Sequence, residues 1–284
     1  MTTIDAPAPI TPKLDFAAEL TGLFDLSGKT AFVPGGTGGL GEAIAWGLGL
    51  AGASVVIAGR ERARAERLAG AIEAGAKVAV AGVAIEVTDT GSIEAATAEA
   101  HERLGRLDIL VNCVGIQIEE PLLEVREASF DRVYAVNLKS AMFLAQAAAK
   151  RQVAAGTGGR QIHLLSVRSQ LALRGKGYSA YCTTKGGLVM LVRQHAMELA
   201  PHGITVNGVA PTFVNTEMIQ HVYARPEFRE AILARIPLGR IADPKDVVGA
   251  AGRRFRHRTG ALRRRRHHGE PIGPPGVAAP GGRC

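Results

Sequence analysis

The sequence predicts an α/β fold in which one doubly wound parallel sheet is covered by helices on both faces. Apolar segments of five to eight residues alternate with helical segments along most of the chain. A glycine-rich turn also follows the first apolar segment directly. Strands that are apolar throughout are typical of parallel sheets buried between two layers of helices. We therefore expect a single domain over residues 27–251 of the 284-residue chain.

The predicted elements alternate strictly through this domain. The six strands are expected at Lys29–Val33, Ala53–Ala58, Lys77–Ala84, Asp108–Cys113, Gln161–Leu165 and Ile204–Val209. The helices between them are expected at Glu42–Ala51, Glu61–Glu73, Ser92–Leu104, Phe130–Ala155 and Ser179–Ala200. Ligands of such sheets bind beyond the carboxyl ends of the strands. The residues that fall at this edge are Gly35, Asn112, Ser166 and Pro211.

The first strand runs into P-G-G-T-G-G-L-G at residues 34–41 and then into a helix. Gly35 permits a tight turn, Gly39 lets the backbone approach a pyrophosphate, and Gly41 lets helix and strand pack closely. The free N–H groups at the helix N-terminus then attract the anion. Strand, glycine turn and helix in this order predict a dinucleotide-binding loop of the Rossmann type. Its expected contact residues are Gly35, Thr37, Gly39, Leu40 and Gly41.

A second motif, Y-S-A-Y-C-T-T-K at residues 178–185, places Tyr181 four residues before Lys185. On a helix this spacing brings both side chains to one face. A free tyrosine titrates near ~10, and a fixed ammonium close by favours its ionised form. Tyr181 is then suited to exchange a proton with a carbonyl or alcohol oxygen. Taken alone, the motif also fits an ordinary (i, i+4) pair on an amphipathic helix.

The net charge of +8 comes entirely from the C-terminal end of the chain. Residues 1–250 hold 25 basic and 25 acidic side chains, whereas residues 251–284 hold nine arginines and one acid, Glu270. The basicity therefore belongs to a tail and not to the domain. A domain with no net charge gives no electrostatic reason to expect nucleic-acid binding.

Two further observations bear on the compartment. No apolar run approaches the ~20 residues that cross a membrane, and residues 1–24 lack the basic-then-apolar pattern of a signal peptide. The three cysteines, Cys113, Cys182 and Cys284, share no disulfide or metal spacing. We therefore expect a soluble, cytoplasmic protein without a metal centre, and we assign the cysteines no chemical role.

Taken together, the motifs resemble those of the short-chain dehydrogenase/reductase family over about residues 26–248. The matching motifs are the glycine loop, N-C-V-G at 112–115, Asn137 in V-N-L, Ser166 after the fifth strand, Tyr181 with Lys185, and V-A-P-T-F-V-N-T at 209–216. The resemblance implies a homo-oligomeric, by analogy tetrameric, oxidoreductase. It would transfer hydride between a nicotinamide cofactor and a carbonyl or secondary alcohol.

The resemblance also implies a role for each matched residue. Tyr181 would be the general acid/base, and Ser166 would hold the substrate oxygen by a hydrogen bond. Lys185 would bind the nicotinamide ribose and lower the pKa of the tyrosine, while Asn137 would support a proton-relay water. These roles agree with the chemistry, because hydride transfer to a carbonyl builds negative charge on oxygen. The further implied cofactor contacts are Glu86, Val87, Asn112, Gly115, Pro211 and Thr216.

The sequence departs from the family pattern at three places within the domain. Pro34 replaces the usual threonine before the first glycine, which removes a backbone N–H and is expected to loosen the loop. Glu86 replaces an aspartate in the turn that resembles the adenine-contacting segment. Ser166 lies fifteen residues before Tyr181, slightly more than is common, whereas Ser169 lies twelve before it. We favour Ser166 because it directly follows the apolar strand.

The choice of cofactor depends on the end of the second strand, V-V-I-A-G-R. Gly59 stands where an acid would hold the ribose hydroxyls of NAD, so nothing repels a 2′-phosphate there. Arg60 follows immediately and is suited to pair with that phosphate. The sequence therefore predicts a preference for NADP(H). The alternative is a solvated arginine at the start of a helix, in which case NAD would bind comparably.

The last 34 residues do not match the family. Where the family adds apolar helix residues and a final strand, this chain has arginine, glycine and proline from Gly252 onward, a composition typical of disorder. We therefore expect no final strand and a disordered tail over residues 252–284. One hypothesis is a shifted reading frame of a GC-rich gene. The competing hypothesis is a catalytically impaired protein whose genuine basic tail, around Arg263–Arg266, binds nucleic acid or acidic surfaces.

The substrate is the least determined feature. Residues 212–237 are expected to form a mobile lid that carries His221, Tyr223 and Arg225. The segments L-F-D-L-S-G-K before the first strand and S-V-R-S at Ser166 are similar to sugar-acid and polyol dehydrogenases of the family, such as gluconate 5-dehydrogenase. The 3-oxoacyl carrier-protein reductases are the next most similar group.

Overall fold

The computed structural model describes residues 25–234 and 236–256, and all of its sheet strands run parallel. The strands are β1 (Thr30–Pro34), β2 (Ser54–Gly59), β3 (Val80–Ala84), β4 (Ile109–Asn112), β5 (Gly159–Leu164) and β6 (Ile204–Val209). Their order in the sheet is β3-β2-β1-β4-β5-β6. The chain therefore reverses its winding direction between β3 and β4, and the crevice beyond β1 and β4 is where such folds bind ligands. The predicted doubly wound sheet is confirmed.

Helices connect the strands and cover both faces of the sheet. They are α1 (Gly39–Leu50), α2 (Arg62–Ala76), α3 (Thr90–Leu104), α4 (Glu127–Tyr134), α5 (Ser140–Ala155), α6 (Ser179–Leu199), α7 (Glu217–Tyr223), α8 (Pro226–Leu233) and α9 (Pro244–Arg256). The predicted strands and helices are present with ends within three residues of those expected. None of the described helices is long and apolar enough to cross a membrane.

One predicted helix, Phe130–Ala155, is interrupted. A π-helical turn at Ala135–Lys139 separates α4 from α5 and contains Asn137. Single π turns inside helices occur mostly at functional sites, because the extra residue redirects the side chains around it. We therefore interpret the turn as the feature that sets the position of the Asn137 side chain.

The strands alternate their side chains between two apolar layers. In β1, Val33 packs with Ile44 of α1 in one layer, whereas Phe32 packs with Leu110 and Leu144 in the other. All five of these side chains are fully buried, which explains why the strands are apolar throughout. This two-sided core fixes the strand ends that carry the candidate site.

Pro34 does not loosen the glycine loop, contrary to the expectation from the sequence. The N–H groups of Gly35 and Gly36 donate to the Ala58 carbonyl at 3.0 and 3.2 Å, and the Cys113 N–H donates to the Pro34 carbonyl at 2.9 Å. These bonds tie the loop to strands on both sides. The missing N–H of proline is therefore compensated by its neighbours.

We also expect an N-terminal leader over residues 1–26, and this leader and the tail lie almost entirely outside the described residues. Leu26 is buried, and its N–H donates to the Ala51 carbonyl at 2.6 Å, so the end of the leader is fixed on the domain. Helix α9 ends at Arg256, four residues beyond the start of the predicted tail. The expected missing strand, shifted frame and nucleic-acid binding concern residues after that point and stay predictions. Cys284 also lies there.

Candidate active site

Ser166 follows β5 directly and caps the short turn Val167–Ser169. Its hydroxyl accepts a hydrogen bond from the Arg168 backbone N–H at 3.1 Å, and Ser166 lies close enough to Tyr181 to act on the pKa of the phenol. The turn itself is held at the sheet edge, because the Val167 N–H donates to the Pro211 carbonyl at 3.0 Å. Of the two candidate serines, Ser166, fifteen residues before Tyr181, is therefore the one that lies beside the tyrosine.

Tyr181 and Lys185 share one face of α6, as their spacing predicts. The Lys185 ammonium lies 5.8 Å from the centre of the Tyr181 ring. It is 3% exposed and donates to the Leu164 carbonyl at 2.7 Å, the last residue of β5. This long-range hydrogen bond anchors the helix to the strand that precedes Ser166, and so brings the three candidate catalytic groups together.

The pKa values differ from the simple expectation that the lysine lowers the pKa of the tyrosine. Burial raises the pKa of Tyr181, and only part of this is offset by the nearby Ser166 hydroxyl and the positive charge of Arg168. Burial also lowers the pKa of Lys185 to about 8. Because desolvation disfavours the charged form of both groups, Tyr181 is held as the neutral phenol at neutral pH. In this state it is a proton donor.

Asn137 is almost fully buried and its amide is committed to structure. Its Oδ1 accepts from the Ile116 N–H at 2.8 Å, and its Nδ2 donates to the Ile116 carbonyl at 2.9 Å and to Thr184 Oγ1 at 3.3 Å. The side chain therefore ties the segment after β4 to the helix that carries Tyr181. Thr184, which the sequence reasoning missed, completes this link by donating to the Tyr181 carbonyl at 2.9 Å.

The N-C-V-G motif supplies a buried support and an open space. Asn112 is buried, accepts from the Val114 N–H at 3.0 Å, and has its Nδ2 3.3 Å from His163 Nδ1. It therefore acts below the cleft rather than at its surface. A Cβ on Gly115 would lie 3.5 Å from Lys185 Nζ, so glycine keeps the space beside the ammonium open.

The glycine loop has the geometry of an anion cradle. Gly35 adopts φ +75°, and a Cβ on Gly41 would lie 2.2 Å from the Gly35 carbonyl oxygen, so neither position accepts a side chain. The N–H groups of Gly39, Leu40 and Gly41 have no acceptor among residues 25–234 and 236–256. Three free donors at the N-terminus of a twelve-residue helix fit a pyrophosphate.

Two of the predicted contacts flank this cradle. A Cβ on Gly39 would lie 3.2 Å from the side chain of Thr216, so the start of the segment that leads to α7 closes over the loop. Residues 217–233 of the expected lid form α7 and α8. Leu40 faces inward and packs on the core beside the cradle.

The end of β2 explains why Gly59 carries no acid. A Cβ there would lie 2.6 Å from Thr37 Oγ1, so the loop threonine fills the space that a carboxylate side chain needs. Arg60 is exposed beside it. Glu86 turns back on its own segment and accepts from the Thr88 N–H and hydroxyl; these bonds, with smaller contributions from Arg132 and Arg60, lower its pKa.

The candidate residues thus lie along the carboxyl edge of the sheet. Val87, the other predicted contact in this segment, packs on the second apolar layer. The glycine cradle lies at β1, Arg60 at the end of β2, and the serine, tyrosine and lysine beyond β5. The arrangement combines a dinucleotide cradle with a partly buried proton donor, which defines the class of nucleotide-dependent oxidoreductases.

Comparisons with known proteins agree with this class. A family model described as Enoyl-(Acyl carrier protein) reductase matches residues 35–252. Gluconate 5-dehydrogenase of Gluconobacter oxydans is 34% identical over 81% of this chain and 88% of that protein. L-xylulose reductase of Homo sapiens is 36% identical over 79% of this chain and 88% of that protein.

Among solved structures, a gluconate 5-dehydrogenase from Burkholderia cenocepacia in complex with NADP and tartrate superposes with a TM-score of 0.78. It is 32% identical and covers 82% of this chain and 89% of its own. The chain belongs to the short-chain dehydrogenase/reductase family. It is an oxidoreductase that transfers hydride between a nicotinamide cofactor and a small-molecule substrate, as the resemblance predicted.

Proposed function

We propose that the chain interconverts a ketone and a secondary alcohol with Tyr181 as general acid/base, and that it prefers NADP(H). The observation that carries the proposal is that Ser166 lies close enough to Tyr181 to act on the pKa of its hydroxyl, beside the buried Lys185 ammonium. A polarising donor and a proton source at one point are what carbonyl reduction requires. No metal is needed in this scheme.

In the reducing direction, Ser166 and Tyr181 bind the substrate oxygen and Tyr181 transfers its proton to that oxygen. The raised pKa of Tyr181 suits this direction, because the phenol is protonated at neutral pH before the substrate binds. The nicotinamide, when bound, supplies the hydride that reaches the carbonyl carbon. In the oxidising direction, the Tyr181 oxygen takes the alcohol proton back, which is harder while its pKa stays raised.

Lys185 and Asn137 act around the tyrosine. The lysine ammonium has three N–H donors, of which one bonds Leu164, so two remain for a nicotinamide ribose hydroxyl. Asn137 holds the Ile116 backbone beside the open space at Gly115, and we propose that this space admits the proton-relay water that the family resemblance implies. We propose that Thr216 also contacts the cofactor, since it lies against Gly39 of the pyrophosphate cradle.

The preference for NADP(H) rests on the end of β2. Thr37 fills the space of an acid at Gly59, and Arg60 forms no ion pair within the described part of the chain. A guanidinium that forms no salt bridge with any described residue, and on which Glu86 acts only at longer range, fits the 2′-phosphate that distinguishes NADP from NAD. The relative from Burkholderia cenocepacia was solved with NADP.

Arg60→Ala tests this preference. We expect NADPH to bind about 30-fold more weakly, because a charge-assisted hydrogen bond contributes about 2 kcal/mol, while NADH affinity changes less than about 3-fold. The measurement is a fluorescence titration with each cofactor. Arg67→Ala is the matched control, since Arg67 is an exposed arginine further along α2. Equal losses for NADPH and NADH would contradict the preference.

We also propose a homo-oligomer. The two helices α5 and α6 expose large apolar side chains that a partner subunit would cover, namely Met142, Met190 and Met197, which are 45%, 57% and 69% exposed. Light scattering of the purified chain reports its mass in solution. The cytoplasmic location stays a prediction.

A further inference from the structure

Arg168 lies beside Ser166 and acts on Tyr181, yet the proposed mechanism gives it no role. It lies two residues after Ser166, and its backbone N–H donates to the Ser166 hydroxyl at 3.1 Å. The turn that carries it packs against α6 near the candidate tyrosine. The start of the Arg168 side chain is therefore fixed relative to the proposed substrate oxygen.

The guanidinium of Arg168 is oriented by the chain that follows it. Its Nη1 donates to the carbonyls of Leu171 and Ala172, both at 3.0 Å. Within residues 25–234 and 236–256, its Nε and Nη2 have no partner. The edge of the guanidinium that carries these two nitrogens is therefore free to bind a ligand. Its positive charge acts on the Tyr181 hydroxyl, because it offsets a small part of the rise that burial causes in the pKa of that group.

The acids on the facing segment after β4 do not neutralise this cation. The Glu119 carboxylate pairs with Lys176 at 3.0 Å. Glu120 accepts from Arg126 Nε and from Ser129 Oγ, each at 2.8 Å. Both carboxylates are therefore engaged elsewhere, and Arg168 stands beside the proposed active site as a cation with no acidic partner in the described part of the chain.

A guanidinium edge whose two nitrogens, Nε and Nη2, both carry free N–H groups matches the two oxygens of a carboxylate. The family does not decide whether the substrate carries one, because the relatives include a gluconate dehydrogenase and an L-xylulose reductase at similar identity. The first name denotes a sugar acid and the second an uncharged sugar. A residue of this chain must therefore make the distinction.

We propose that Arg168 binds the carboxylate of a polyhydroxy-acid substrate and thereby selects keto acids over uncharged ketoses. The inference rests on the proposed function, since it assigns the substrate class of the same site. Arg168 is a binding residue in this account, and proton transfer stays with Tyr181.

The test uses two substrates that differ at one end. L-sorbose carries a hydroxymethyl group where 5-keto-D-gluconate carries the carboxylate, so the ratio of their kcat/KM values isolates the acid. In the full-length chain with NADPH, we expect the ratio to favour the keto acid at least about 10-fold, and Arg168→Met to lower it about 30-fold, mainly through KM. Arg168→Lys keeps the charge without the fork and should recover part of the loss.

Arg174→Met is the matched control, because Arg174 is an exposed arginine of the same loop and should leave the ratio unchanged. A ratio near one in the unaltered chain, or an equal loss for both substrates in Arg168→Met, would overturn the inference.

A binding measurement separates this inference from the proposed function. Calorimetry of D-gluconate with the NADPH complex should show millimolar or tighter binding that Arg168→Met abolishes and Arg174→Met preserves. If the chain reduces no ketone but binds gluconate in this way, the proposed reaction fails and the role of Arg168 stands. If gluconate fails to bind, or binds Arg168→Met equally well, the role of Arg168 is contradicted whatever the activity.

Discussion

The two ends of the cleft are built in opposite ways. At the cofactor end, the loop after β1 depends on side chains that are absent, since a Cβ at Gly35 or Gly41 would meet backbone atoms at 2.8 and 2.2 Å. At the catalytic end, the site depends on polar side chains that are buried, with Lys185 and Asn137 at 3% and 1% exposure. The glycines of the cofactor end lie within seven consecutive residues, whereas the polar side chains of the catalytic end come from segments that are far apart in the sequence.

This difference predicts different failures. Adding a methyl group at the cofactor end displaces the backbone that holds the anion, so ligand affinity should fall. Removing a polar group at the catalytic end leaves its partners buried without a hydrogen bond, so the stability of the fold should fall. The following variants test this contrast.

Gly41→Ala should cause the largest loss. We expect NADPH affinity to fall by at least about 1,000-fold, or about 4 kcal/mol, because the new Cβ cannot be accommodated without moving the Gly35 carbonyl. Fluorescence titration measures the loss, and circular dichroism checks that the chain is folded. In the control Gly70→Ala, nothing lies within 4 Å of the new Cβ, and a gain of about 0.5–1 kcal/mol in helix stability is expected. Unchanged NADPH affinity in Gly41→Ala would contradict the claim that the cofactor end depends on the absence of side chains.

Asn137→Ala should act on stability. The change leaves both the N–H and the carbonyl of Ile116 without their partner, and we expect the free energy of unfolding to fall by about 2–3 kcal/mol. Urea denaturation followed by circular dichroism measures it. Gln194→Ala removes only an exposed pair with Glu198 and should cost a few tenths of a kcal/mol. Similar losses in the two variants would mean that the π turn, and not the amide, holds this segment.

His163 gives the catalytic end a sensitivity to acid. Burial, with smaller effects of His195 and Lys185, lowers its pKa to about 3. The unfolded chain then binds a proton below about pH 6.5 that the folded chain does not, so stability rises with pH between about 3 and 6.5 and is lost on acidification. From pH 6.5 to 5, we expect the unaltered chain to lose about 1.5 kcal/mol more than His163→Gln. Equal losses in urea denaturation at the two pH values would contradict a buried neutral histidine.

The sequence predicted the strand, glycine turn and helix at the cofactor end, because these signals are contained in eight consecutive residues. The shared face of Tyr181 and Lys185 could also be predicted from the sequence, since helical spacing alone brings the two side chains together. The fold also followed from local patterns, as apolar strands between helices permit few other arrangements.

The sequence did not predict features that depend on contacts between distant segments. The π turn at Asn137 lies in a stretch with an ordinary helical pattern, so composition gave no sign of it. The bond of Lys185 to Leu164 and the burial that raises the pKa of Tyr181 arise only when α6 packs on the sheet. The free edge of the Arg168 guanidinium depends on how the following loop folds back, and the sequence analysis used S-V-R-S only for the family resemblance, without assigning Arg168 a role.

The central claim is that Tyr181 supplies the proton in a hydride-transfer reaction at this site. Its most direct test is the single-turnover rate of NADPH oxidation by a ketone in the unaltered chain, Tyr181→Phe and the control Tyr178→Phe. Tyr178 belongs to the same motif, with its ring centre 6.4 Å from that of Tyr181. We expect Tyr181→Phe to lower the rate about 1,000-fold with NADPH affinity unchanged, and Tyr178→Phe to alter it less than about 3-fold. A Tyr181→Phe rate within about 10-fold of the unaltered chain, or equal losses in the two variants, would contradict the claim.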